Sequence, residues 1–128
     1  MKVNMYTELD DIIQTLDRFV VEKNKIQCEV WDEKGPEPNV GVSIHYSDDQ
    51  TNTEYSDVSS SPKFDFQVGK DKKHISLHIG SRDIFLAGIS SIKVEEVLYN
   101  NEDYIREMVL NFADDNMSIY IMQAYFLN

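Results

Sequence analysis

The sequence predicts an α+β fold, with one N-terminal amphipathic helix packed on a mainly antiparallel sheet of six to eight strands. Three observations lead there. One stretch near the N-terminus repeats its apolar residues at three-four spacing. From residue 26 onward the apolar residues alternate with polar ones, the period of a strand. Turn-forming clusters join successive strands directly, as in antiparallel hairpins. The 128 residues are the length of one ordinary domain, so residues 1–128 are expected to share a single core.

The helix is expected in "TELDDIIQTLDRFVVEKNK". Thr7 can cap it, with Asp10 three residues later as a variant capping box. Glu8, Asp10 and Asp11 suit the positive end of the helix dipole. Leu9, Ile12, Ile13, Leu16, Phe19 and Val20 form the core-facing stripe. A strand is expected next, with Ile26, Cys28 and Val30 alternating with Gln27, Glu29 and Trp31 and with Cys28 pointing inward. "DEKGPEPN" then breaks the chain, and Val40, Val42, Ile44 and Tyr46 mark a second strand. The polar run "SDDQTNTEYSDVSSSP", residues 47–62, reads as a mobile acidic loop. It lacks the glycine and the twelfth-position glutamate of a calcium loop.

Phe64, Phe66 and Val68, then Ile75, Leu77 and Ile79, make a hairpin around Gly69–Lys73. "RDIFLAG" and "SSIKVEEVLY" supply two more strands, and "YNNED" is a turn. In a last hairpin Met108, Leu110 and Phe112 oppose Met117, Ile119 and Ile121 around Asp114, Asp115 and Asn116. For residues 104–112 a helix fits as well as a strand.

"KHISLHIG" raises the question of metal, because His74 and His78 stand four apart, as zinc ligands do on a helix. On a strand that spacing separates them by roughly 13 Å, whereas zinc needs nitrogens about 2.0–2.1 Å from the ion. The two cannot share an ion, and no metal site or cofactor is expected. His45, on the polar face of its own strand, is the one histidine able to meet either of them.

Apolar residues make up 41% and charged residues 27%, as in globular proteins. No apolar run approaches the ~20 residues that span a bilayer. The opening "MKVNMYTELDD" turns acidic where a signal peptide needs its apolar region. Cys28 is the single cysteine, which suits a reducing compartment, so a cytoplasmic location is expected. The formal net charge is -11, which repels nucleic acid and membranes and attracts basic proteins. The charge is uneven: residues 63–93 carry six basic and three acidic groups, residues 94–128 one and seven.

No phosphate-cradling glycine loop, nucleophile elbow or cysteine pair is present. Cys28 is predicted to face away from the strand-borne histidines that would serve it as a base. The expected function is therefore not enzymatic. What stands out is acidity: Asp48, Asp49, Glu54 and Asp57 in the polar run, Glu102 and Asp103 in the "NNED" turn, and Asp114 and Asp115 at the last hairpin tip. These eight are the candidate partner-binding residues.

In size, acidity, single cysteine and helix-plus-sheet pattern the chain resembles small inhibitor proteins of phages and mobile elements. These include anti-CRISPR and anti-restriction proteins, and immunity proteins that neutralise toxins. The resemblance covers the whole chain but has no motif, so no residue is carried over from a family. It implies stoichiometric inhibition, in which carboxylates occupy the Lys and Arg groove where a nuclease holds phosphates. The expected partner is a basic nuclease or toxin, with no direct contact to nucleic acid. The alternative is a regulatory or scaffold module whose acidity serves solubility alone.

Overall fold

A computed structural model describes residues 2–34, 40–47, 52–59, 64–71, 74–79, 82–113, 117–123 and 126, and side chains throughout these except at 27–34, 41, 43–47, 52–59, 79 and 82. The elements run β1 (Lys2–Tyr6), α1 (Leu9–Lys34), β2 (Val40–Ser47), β3 (Asn52–Ser59), β4 (Phe64–Val68), β5 (Ile75–Ile79), β6 (Arg82–Phe85), β7 (Ile89–Tyr99), β8 (Glu102–Phe112) and β9 (Met117–Gln123). The fold is α+β with antiparallel pairing. The strands divide between a six-stranded sheet, β1-β7-β8-β9-β2-β3, and a three-stranded sheet, β4-β5-β6.

Three sequence expectations are corrected. The expected strand at residues 26–31 is helix, because α1 continues to Lys34. Ile26 and Val30 are four apart and fit helical as well as strand spacing, and no Gly or Pro stops the helix before Gly35 and Pro36. The polar run expected as a loop contains a strand, β3, which pairs with β2 along its length from Val40↔Ser59 to Ser47↔Asn52. The Ile12 N–H donates to the Glu8 carbonyl at 3.0 Å, which puts the helix cap at Glu8, one residue after Thr7. Residues 2–6, for which no element is expected from the sequence, form the edge strand β1, paired with β7 from Lys2↔Glu96 to Tyr6↔Ile92.

Elsewhere the alternation is obeyed. Residues 104–112 are strand, part of β8. The last hairpin pairs Met108 with Ile121 and Leu110 with Ile119, and the β4–β5 hairpin pairs Val68 with Ile75. The "NN" of the β7–β8 turn adopts positive φ at both Asn100 (50°) and Asn101 (64°). That is the left-handed pair a two-residue hairpin demands, and Asn tolerates it better than most residues.

Cross-strand rows build the core. Ile92, Leu110 and Ile119 lie in one row, and Val94, Met108, Ile121 and Val42 in the next. Each of these seven side chains is buried. Ile12, Leu16 and Phe19 of α1 and Phe64, Phe66, Ile75 and Leu77 of the small sheet join them in one cluster. Phe19 meets Phe64 edge to face at 5.7 Å between centroids, and Phe64 meets Phe66 at 5.4 Å, a favoured aromatic geometry. The helix and the small sheet thus cover one face of the large sheet.

A polar network ties α1 to the sheet. Arg18 donates to Glu22 at 2.6 Å, to Glu96 at 2.9 Å and to the Asp103 carbonyl at 2.9 Å. Glu22 accepts from the Ile105 N–H at 2.7 Å, and Asn4 of β1 donates to Glu96 at 2.9 Å. Burial draws the Arg18 guanidinium down, but its bonds to Glu96 and Glu22 leave it above its ordinary value. Burial pushes the Glu22 carboxyl up by more than Ile105 and Arg18 pull it down. Lys23 is 2% exposed, donates to the Phe64 carbonyl at 3.4 Å, and is held below its ordinary value by burial. Among the described residues no helix is long and apolar enough to cross a membrane.

Candidate interaction surface

Strand alternation sends every second residue of the large sheet away from the core. The register sorts these residues into rows. Met5, Lys93, Val109 and Tyr120 form one; Val3, Glu95, Glu107 and Met122 form a second; Ser91, Asn111 and Ser118 form a third. Among the described residues nothing packs over this face. Val3 is 51% and Met5 60% exposed, while Glu95, Glu107, Val109, Asn111, Tyr120 and Met122 are half-buried among one another.

The third row is a hydrogen-bonded ladder. Asn111 donates its amide to Ser91 Oγ at 3.2 Å, and Ser118 donates to the Asn111 side-chain oxygen at 3.5 Å. Next to it Lys93, Glu95, Glu107, Val109, Asn111 and Tyr120 line a pocket of ≈ 210 Å³. Glu107 faces outward by alternation with the buried Met108, Leu110 and Phe112, and just before it the ladder is irregular. Glu95 pairs with Glu107 but Glu96 pairs with Ile105, so Arg106 is an extra residue on β8, a β-bulge. Without it Ile105 and Glu107 would share a face. With it Ile105 stays in the core, and Glu107 stands opposite Glu95 outside. Burial, then the Glu95 charge, push the Glu107 carboxyl above its usual range, while Arg106 and Lys93 oppose the shift.

Of the eight acidic residues singled out from the sequence, the four on described strands fall into two separate pairs. Asp48, Asp49, Asp114 and Asp115 lie outside the described residues. Glu54 and Asp57 sit on β3, with His45 and Val42 as their Cα partners, and their side chains are not among those described. Glu102 and Asp103 begin β8 and are ion-paired within the chain, Glu102 to Lys25 at 3.2 Å and Asp103 to Lys2 at 3.5 Å. β3 and β8 are separated by β9 and β2, about 14 Å at the usual strand spacing. Glu95 and Glu107 were missed, because pairing two carboxylates across strands needs a register and a bulge that alternation alone does not reveal.

The histidines go separate ways. His74 precedes β5 and pairs with Asp71, whereas His78 within β5 pairs with Asp83 of β6. His45 lies on β2, in the other sheet, with its side chain outside those described. Cys28 lies in α1, and its expected inward orientation also falls outside the described side chains. Among the described residues no group of three His, Cys, Asp or Glu side chains is placed to hold a metal ion.

The sequence matches no protein-family model, and no curated protein matches it. Among solved structures, the one titled "Crystal structure of ChuX" is similar at 8% identity with a TM-score of 0.44, covering 92% of this chain and 61% of that one. The chain thus spans less than two thirds of that protein's length. A likeness at that level carries no functional argument, and the reading below rests on the surface itself.

Proposed function

We propose that the protein is a non-enzymatic inhibitor that binds a basic protein surface of the nuclease or toxin kind and blocks its nucleic-acid groove. One observation carries the reading, the charge of the large sheet. Its open face carries Glu54, Glu95 and Glu107 against Lys93, and the ends of its strands add Glu102 and Asp103. A rigid antiparallel sheet with one open face displays such carboxylates at fixed spacing, which a groove built for phosphates can accept. Carboxylates at the rim of the contact speed association more than they tighten it.

A second reading, a regulatory or scaffold module, draws support from the Glu102–Lys25 and Asp103–Lys2 pairs. Two of the candidate carboxylates are spent inside the chain, as in a surface that only needs to stay soluble.

The test is capture of the partner by the tagged protein, identification by mass spectrometry, and titration of the partner's activity. Activity of a basic nuclease or toxin that falls linearly to zero at one equivalent supports the inhibitor. Neutralising Asp48, Asp49, Glu54 and Asp57 to Asn or Gln should then slow association, and added salt should slow the parent more than the variant. Recovery of an assembly whose activity is unchanged at saturation sinks the inhibitor and puts the scaffold module in its place.

A further inference from the structure

We infer that β1 is an interface between two copies of this chain, which pair edge to edge and antiparallel about a two-fold axis at Asn4. The inference goes beyond the proposed inhibitor and does not depend on it.

The first requirement is an open edge. β1 ends the large sheet, with β7 on one side and no described strand on the other. In an antiparallel ladder every second residue turns its N–H and C=O to one neighbour, and the residues between turn theirs the other way. On β1 the second set meets no partner strand among the described residues. Native sheets guard such edges with charges, prolines or bulges. β3, at the opposite end of the sheet, carries two carboxylates within the strand, Glu54 and Asp57. β1 carries none of these guards. It has no proline, its register with β7 is unbroken from Lys2 to Tyr6, and its one charge stands at its first residue.

The pattern of β1 selects the occupant. Turned antiparallel about Asn4, the strand meets a second copy with Val3 opposite the copy's Met5, Met5 opposite its Val3, and Lys2 opposite its Tyr6. Val3 and Met5 are the residues left 51% and 60% exposed on the open face, and the two-fold covers each with the other. Directly opposed apolar side chains of this kind stabilise a sheet. Charge agrees with the same direction. Lys2 comes beside the exposed carboxylates Glu8, Asp10 and Asp11 that begin the copy's helix, whereas a parallel pair in register would set Lys2 against Lys2. A second copy meets both conditions by symmetry, since a two-fold contact needs only one self-complementary patch.

The two large sheets then become one continuous sheet, with both open faces on the same side. β1 is five residues long, too short to reach the roughly 1,200 Å² of stable interfaces, so the dimer forms only as concentration rises. Each copy has a net charge of -11, and their long-range repulsion outweighs the exposed Lys2 pairs. Added salt should therefore tighten the dimer, the reverse of its effect on a basic partner.

The experiment is sedimentation equilibrium of the full chain from micromolar to millimolar concentration, with amide NMR spectra across the same range. A monomer–dimer equilibrium that salt strengthens is expected, with concentration-dependent shifts centred on Lys2–Tyr6. Met5→Lys should weaken it about tenfold, because the two-fold makes one substitution remove two cross-strand pairs, while amides away from β1 overlay those of the parent. Phe85→Lys, on the small-sheet strand β6 and 69% exposed in the parent, should leave the dimer unchanged. A chain that stays monomeric at millimolar concentration, shifts centred on another surface, or equal weakening by Phe85→Lys overturns the interface. Partner capture tests the inhibitor separately, and its outcome is unaffected by loss of this dimer.

Discussion

Arg18 on the helix and Glu96 on β7, 78 residues apart in sequence, meet at 2.9 Å, with the Glu96 side chain 6% exposed and Arg18 37%. Arg18 also holds Glu22, so a single guanidinium satisfies two carboxylates from two elements. Arg18→Ala removes the cation and leaves both behind. The expected cost is about 1–3 kcal/mol, that of leaving buried polar groups unpaired, reduced by the partial exposure of Arg18. Urea unfolding at pH 7 measures it. The deficit should shrink in Arg18→Ala/Glu96→Gln, and a single variant as stable as the parent would show the network to be ornamental.

Leu16 lies at the centre of the helical stripe and is 1% exposed. Leu16→Ala should cost about 2–5 kcal/mol, as a cavity in a packed core does. A variant that melts like the parent but loses its partner would make the stripe a binding face instead.

Gly88, in the turn before β7, has φ +77° with open space where a side chain would go. Any penalty for Gly88→Ala is therefore backbone conformation alone, about 1–2 kcal/mol. Gly88→Asn should lose less, since Asn enters that region more readily. Equal losses in the two variants, read as shifts in melting midpoint, would contradict this.

Glu107 faces Glu95 and Lys93 of β7 and neighbours Arg106, and its carboxyl sits above its usual range. A folded pKa raised above the unfolded one means that the folded state binds the proton more tightly, so ionisation costs stability as the pH rises through the carboxylate range. Glu107→Gln should stabilise the protein at pH 7 by about 0.2–1 kcal/mol, the scale of directly opposed like charges. The advantage should vanish near pH 4. A urea midpoint lower than the parent's at pH 7 would refute the repulsion.

What the sequence disclosed followed the strength of its patterns. The stripe from Leu9 to Val20 and the alternation in Phe64–Val68, Ile75–Ile79 and Met117–Ile121 were readable because burial there is one-sided. The helix end was not, since Ile26 and Val30, four apart, satisfy both periods and the stop signal comes only at Gly35. β3 escaped because an edge strand rich in Ser, Thr and Asp draws its order from pairing with β2 and not from apolar residues of its own. β1 escaped because Val3 and Met5 point away from the core. Of the surface, the alternation in "IKVEEVL" already placed Lys93 and Glu95 on one outer face. The partner of Glu95 depended on one extra residue eleven positions further on.

The pairing of β1 with β7 and of β2 with β9 sets an order of events during synthesis. Lys2 and its partner Glu96 are separated by more than ninety residues, which a ribosome adds in roughly 5–20 seconds at about 5–20 residues per second. Through that interval β1 has no β7 to pair with, and α1 has no large sheet to cover. The β2–β3, β4–β5–β6 and β7–β8 ladders close over short connections and can form early, whereas β2 must wait for the residues near 120 before it joins β9. Loop closure over such distances slows folding. The large sheet is therefore completed late, by the arrival of β9, and a chain halted before that point would display half of its core to any chaperone or neighbour nearby.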